Sequence, residues 1–188
     1  MPTIDTLEKI INTLDPVNPY EDDRMLILYC SLFIEDYVEK IYSQVKGSVK
    51  YKDCKYCGKT SKPGFLKKVK ELADEGYINK EVGHDLIIEE IWKHRGPAVH
   101  EINLDVSKII ETVEKYTRDS KRDDPHGLLE KLFKNISWRK KLQMPSIAIV
   151  FTLNQTLSNI LGTSTNKKLE FEIDPNCTNI RSKIISLD

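Results

Sequence analysis

The segment IWKHRGPAVHE, residues 91–101, places Arg95 five positions before His100, on either side of a Gly-Pro pair. A guanidinium is a permanent planar charge that matches phosphate oxygens. An imidazole titrates near neutrality and can give or take a proton. Together they are the minimum needed to cleave RNA without a metal. A histidine removes the 2′-hydroxyl proton, an acid protonates the leaving oxygen, and arginine stabilises the pentavalent charge. The plainer reading is structural, since an arginine near a helix C-terminus is favoured by the dipole alone. His94 adjoins Arg95, and Glu101 follows His100, where it reads as a solvated acid at a helix start.

Whether the pair can converge depends on the backbone between them. Residues five apart on an unbroken helix point about 140° away from one another. A residue before proline is pushed away from helical geometry, and proline is favoured at the first helical position. These rules predict a fourth helix over about Lys80–His94 that stops near Arg95-Gly96, and a fifth that starts at Pro97 and runs to Tyr116. His100 would then sit in a first turn, where free N–H groups and the dipole favour a phosphate.

A second chemical signal lies upstream. Residues 1–45 hold three bases against nine acids, whereas residues 46–70 hold nine lysines against one aspartate, so a formal net charge of zero conceals a basic segment. Lys50, Lys52, Lys55 and Lys59 alternate there with Tyr51 and Tyr56, and Lys62, Lys67, Lys68 and Lys70 follow around Phe65. Lysines neutralise phosphates and exposed aromatics stack on bases, so the composition suits single-stranded nucleic acid, although routine surface lysines would look the same. Cys54 and Cys57 have the spacing of half a zinc knuckle. A structural zinc site needs four ligands and no second pair follows, so no metal or other cofactor is expected. A site shared between two protomers, or a redox pair, stays open. Cys30 falls on an apolar helix face, Cys177 in a late turn, and His84, His94 and His126 lack ligand spacing.

The elements that must position these residues are mostly helical. A first helix is predicted at about 5–14, with Asp5 and Glu8 at capping-box spacing and Pro16 beyond its end. A second starts at Asp22 or Asp23 and runs to Gly47, with Met25, Tyr29, Phe33, Tyr37, Ile41 and Val45 as its apolar face. A third covers about Phe65–Ala73, ended by Glu75-Gly76. The charged stretch RDSKRDDPHG at 118–127 reads as a linker. Beyond it, 128–135 reads as helix, 145–161 as helix with a strand as the alternative for SIAIVFTL, and LEFEI with NIRSKIISL as a β-hairpin. With 39% hydrophobic and 31% charged residues among 188, the composition is that of a globular chain. No apolar run approaches the roughly 20 residues that cross a bilayer, and MPTIDTLEKI lacks a signal-peptide pattern, so a cytoplasmic protein is expected.

R-x4-H between two helices of a small bundle resembles the R-x4-6-H signature of the HEPN superfamily. ELADEGYINKEVGHDLIIEEIWKHRGPAVHE is similar to the subgroup in which a helix, a G-x-I turn and another helix lead into an arginine, a small-residue turn and a histidine. The resemblance is strongest over 65–117, extends over 22–117 and does not reach 128–188. It implies a helical bundle that dimerises so that two Arg/His pairs form one cleft. Arg95 would hold the scissile phosphate and His100 would act in proton transfer. It departs at Gly96 and Pro97, where catalytic members commonly carry a polar residue, often Asn, and the superfamily also contains non-catalytic nucleotide- and RNA-binding members.

The expected fold is mainly α: a HEPN-like bundle over 1–117, a linker at 118–127 and a small α+β extension over 128–188 that ends in a β-hairpin. The expected function is RNA binding with metal-independent endonucleolytic cleavage by a homodimer, in a defence or toxin–antitoxin setting with a protein partner or antitoxin. The competing expectation is a non-catalytic adaptor that binds nucleotides, RNA or a protein.

Overall fold

The computed structural model describes residues 4–14, 23–47, 64–100, 105–119, 128–163, 167–176 and 179–186. The elements run α1 (Ile4–Leu14), α2 (Asp23–Lys46), α3 (Phe65–Asp74), α4 (His84–His100), α5 (Ser107–Asp119), α6 (Leu128–Asn135), α7 (Trp138–Ile160), β1 (Lys167–Ile173) and β2 (Ile180–Ser186). The fold is mainly helical with a C-terminal antiparallel hairpin, as expected from the sequence.

Local rules account for the shorter helices. In α1, Leu7, Ile10, Ile11 and Leu14 are buried on one stripe. In α3, Phe65, Val69, Leu72 and Ala73 do the same. Its end is a Schellman motif: Gly76 N–H donates to the Ala73 carbonyl and Tyr77 N–H to the Leu72 carbonyl, with Gly76 at φ 82°. The sequence pair Glu75-Gly76 predicts this stop.

Two helices start later than predicted. Residues 80–83 form a turn, because Asn79 Oδ1 accepts from Glu81 N–H and Gly83 takes a φ of 69°, so α4 begins at His84. α5 begins at Ser107, whose N–H donates to Asp105 Oδ1 at 2.9 Å. Residues 97–100, predicted to open the fifth helix, belong instead to the end of α4.

α2 shows where periodicity misleads. Its fully buried residues are Leu26, Ile27, Cys30, Ile34, Tyr37, Val38 and Ile41, while Met25 is 36% exposed and Tyr29 and Phe33 are half-buried. The predicted face was therefore rotated by about one residue over its first half. α2 packs on α1, α3, α4 and α7, so it is apolar on several sides and no single stripe marks the core.

α2 and α7 form the main helix–helix contact and run parallel. Cys30 faces Ser146 and Tyr37 faces Asn154, in the same order along both helices. SIAIVFTL is helical within α7, the strand alternative failing because those residues are buried against other helices. α7 was expected in a C-terminal extension, yet Leu142, Ile147, Ile149, Val150, Phe151, Leu153 and Leu157 belong to the same core as α1–α5. The linker proposed at 118–127 lies, from residue 120 on, outside the described residues.

α2 and α3 also run parallel. Lys68 pairs with Glu39, Tyr42 with Glu71 and Lys46 with Glu75, each 29 residues apart. The hairpin pairs Leu169 with Ile184, Phe171 with Ser182 and Ile173 with Ile180. Leu169, Phe171 and Ile184 turn toward the helical core, and Ile180 packs with Leu132 and Ile136 of the α6 region. The other hairpin face matches charges, Glu170 opposite Lys183 and Glu172 opposite Arg181.

Candidate functional site

α4 carries both residues of the R-x4-H motif, and it does not break between them. It continues through Gly96 and Pro97 to His100, a correction to the predicted start of a new helix at Pro97. The clash that expels a residue before proline from helical geometry involves that residue's N–H and Cβ, and Gly96, lacking the Cβ, meets only part of it. Ala98, 2% exposed, anchors the last turn in the core and helps offset the backbone bond lost at Pro97.

An unbroken helix turns about 100° per residue and rises about 1.5 Å, so Arg95 and His100 point about 140° apart and sit roughly 7.5 Å apart along the axis. Within one protomer the helix does not bring the two side chains together. His100 is exposed, beside Val99 at 54% exposure.

Arg95 falls between Ile91 and Ala98 on the core-facing stripe, and its long side chain carries the charge outward. Its Nη1 donates to Glu35 Oε2 of α2 at 2.6 Å. The guanidinium lies 4.9 Å from the centre of the Trp92 ring, which stacks on Phe65 of α3 at 4.1 Å. Three helices thus hold one cation: α4 supplies it, α2 neutralises it, and α3 backs the aromatic surface under it. Arg95 and Glu35 side chains remain 35% and 30% exposed. Exposed pairs of this kind contribute about 0.2–1 kcal/mol, so water or another anion competes on nearly equal terms.

His94, also half-buried, donates from Nδ1 to the Glu90 carbonyl at 2.8 Å, which fixes its ring along the helix. The bonds from Ser107 hold the Asp105 carboxyl below its ordinary range, with the nearby His94 a smaller contribution. His84 is the histidine that burial perturbs most among the described residues, pushed down to about 4.

The basic segment divides. Lys50, Lys52, Lys55 and Lys59 lie outside the described residues, as do Cys54, Cys57 and His126. Lys68 is buried, pairs with Glu39 at 2.6 Å and lies 5.6 Å from the Tyr42 ring centre, so it serves the α2–α3 contact. Lys67 and Lys70 are exposed. Cys30 is fully buried, with burial pushing its thiol up to about 12, so it is a core side chain and not a thiolate ligand. Among the described residues no group of three His, Cys, Asp or Glu could hold a metal ion, and no helix is long and apolar enough to cross a membrane.

Sequence reasoning missed Glu35 and Trp92. Trp92 at three positions before Arg95 is a detectable helical neighbour. Glu35 is 60 residues away on another helix, and no local spacing announces it. No family model, curated protein or solved structure compared with this chain matches it.

Proposed function

We propose that this chain is a HEPN-type RNA-binding domain in which Arg95 takes a phosphate oxygen, and that a single protomer binds RNA without cleaving it. The observation that carries this reading is the continuity of α4 through Gly96-Pro97. It leaves Arg95 braced on Trp92, where its charge could meet a phosphate, while turning His100 to another side of the helix. Binding needs only the charge; cleavage needs the charge and the proton carrier on the same phosphate. Lys67 and Lys70 are exposed, and the same stretch of sequence adds Lys50, Lys52, Lys55 and Lys59, a lysine-rich composition suited to phosphates.

One observation favours a second reading, metal-independent cleavage by a homodimer. His100 is exposed at the end of α4, open to meet the Arg95 of a second copy. In that arrangement His100 would take the proton of the 2′-hydroxyl as its oxygen bonds to phosphorus, and Arg95 would stabilise the negative charge on the non-bridging oxygens. The 5′-oxygen would leave as its bond to phosphorus breaks, taking a proton from water or from the protonated histidine. A cytoplasmic setting follows the expectation read from the sequence, and a defence-related role with an antitoxin or other protein partner rests on the HEPN resemblance.

The test is incubation of a labelled RNA pool with the purified protein in EDTA, beside His100→Ala, with RNA retention measured in parallel. Retention without cleavage supports the binding domain. Cleavage that survives EDTA and disappears in His100→Ala replaces it with the nuclease. Absence of both retention and cleavage overturns both readings.

A further inference from the structure

We infer that Glu35 is a built-in competitor for the phosphate at Arg95, so that RNA must displace its carboxylate before the guanidinium is fully engaged. This rests on the reading that Arg95 is a phosphate contact.

Three features carry it. First, the carboxylate occupies a position that a phosphate oxygen would take, accepting from Arg95 Nη1 at 2.6 Å. Carboxylate and phosphate compete for the same donors in the same geometry. Second, the neighbouring acids of α2 are already neutralised by other cations: Asp36 pairs with Lys40, and Glu39 with buried Lys68. Glu35 is the acid of this run that pairs with Arg95, so its charge sets whether the site is neutral or positive. Third, Arg95 has a separate support. The Trp92 face, backed by Phe65, holds the guanidinium from another side, so it stays aimed when the carboxylate leaves. With both partners about one-third exposed, the exchange happens at the surface and needs no opening of the core.

The consequence is that the protomer holds RNA more weakly than its lysines and arginine alone would. Removing the Glu35 charge frees a cation that is already in place.

The experiment measures retention of labelled single-stranded RNA by the full chain over a salt series for wild type, Glu35→Gln, Arg95→Ala and the Glu35→Gln/Arg95→Ala double variant. Glu35→Gln keeps the side chain's size at a half-exposed position. Its expected effect is about 3–10-fold tighter binding, with log K falling more steeply against log salt by at most about 0.7, the slope of one net charge on a single strand. The bound is set because Arg95 already meets phosphate in the wild type and only the opposing charge is removed. The double variant is expected to bind slightly tighter than Arg95→Ala, because a lone Glu35 charge still repels RNA. It should lack most of the gain that Glu35→Gln gives alone, because the carboxylate acts mainly through Arg95. A merely structural Glu35 would not raise affinity or steepen the salt slope. Unchanged or weaker binding by Glu35→Gln, with wild type binding RNA through Arg95, overturns the inference and leaves the RNA-binding reading standing. RNA retention that is absent throughout, or indifferent to Arg95→Ala, removes the phosphate contact itself and the inference with it.

Discussion

Tyr37 of α2 donates its hydroxyl to Asn154 Oδ1 of α7 at 3.1 Å, 117 positions away in the chain, inside the core. Tyr37 is fully buried and its hydroxyl is pushed up to about 12, first by that burial and then by the nearby Asp36 charge. The bond ties the two central helices at one register. Tyr37→Phe keeps the ring and strands the Asn154 acceptor, which is expected to cost about 1–3 kcal/mol in urea unfolding. Tyr37→Phe/Asn154→Leu should recover part of it. A single variant as stable as wild type would mean that the acceptor finds another donor.

Gly83 sits at the turn into α4 with φ 69°, and a Cβ there would lie only 2.3 Å from Cγ and Cδ1 of the Tyr116 ring of α5. Gly83→Ala therefore combines a left-handed backbone penalty of about 1–2 kcal/mol with overpacking of about 1–3 kcal/mol. Adding Tyr116→Ala removes the second contribution, so the double variant should be less destabilised than the sum of the singles. Simple additivity of the two would show that the ring is not what excludes the methyl.

His84 follows that glycine, and burial holds its imidazole down to about 4 from an ordinary 6.5. The folded state therefore prefers neutral His84. Above about pH 6.5 its contribution is complete; as pH falls from 6.5 toward 4 the unfolded chain takes up a proton that the folded chain refuses, and stability declines. The decline from this residue is expected to reach roughly 2–3 kcal/mol. His84→Gln should flatten the stability profile across that window. An unchanged slope would assign the decline to other groups.

Lys68 and Lys70 belong to the same basic stretch but face different surroundings. Lys68 is buried against Tyr42 and paired with Glu39, whereas Lys70 is exposed. Lys68→Ala is expected to cost about 1–3 kcal/mol of stability, through a lost charged hydrogen bond and a lost stem contact. Lys70→Ala should stay within about 0.5 kcal/mol. Under the RNA-binding proposal, Lys70→Ala also weakens retention and lowers the salt slope. Equal melting of the two variants would show that Lys68 burial does not matter to the fold.

Much of the architecture is legible in the residues themselves. The stripe Leu7, Ile10, Ile11, Leu14 names α1 and its buried face. Gly76 names the end of α3, because a left-handed C′ position is a local requirement that glycine meets. The alternation in LEFEI announces a strand, since period two is a property of the strand alone. These features depend on neighbours within a few positions.

The candidate site depends on more than neighbours. Pro97 predicts a helix break by local rules, yet Gly96 in front of it and Ala98 in the core carry α4 through to His100. The side chains that meet were therefore decided by packing. α2 offers apolar residues on several sides, and only the presence of α1, α3, α4 and α7 around it selects Leu26, Ile27 and Cys30 over Met25. Glu35 reaches Arg95 because α2 and α4 lie side by side, and Trp92 is backed by Phe65 because α3 packs on α4. The sequence by itself determined where most helices and the hairpin lie, where short-range dihedral and periodicity constraints act. The tertiary structure decided that SIAIVFTL is helix, that α4 runs on past Pro97, which helix faces meet and which charge neutralises Arg95, because those outcomes depend on contacts between residues far apart in the chain.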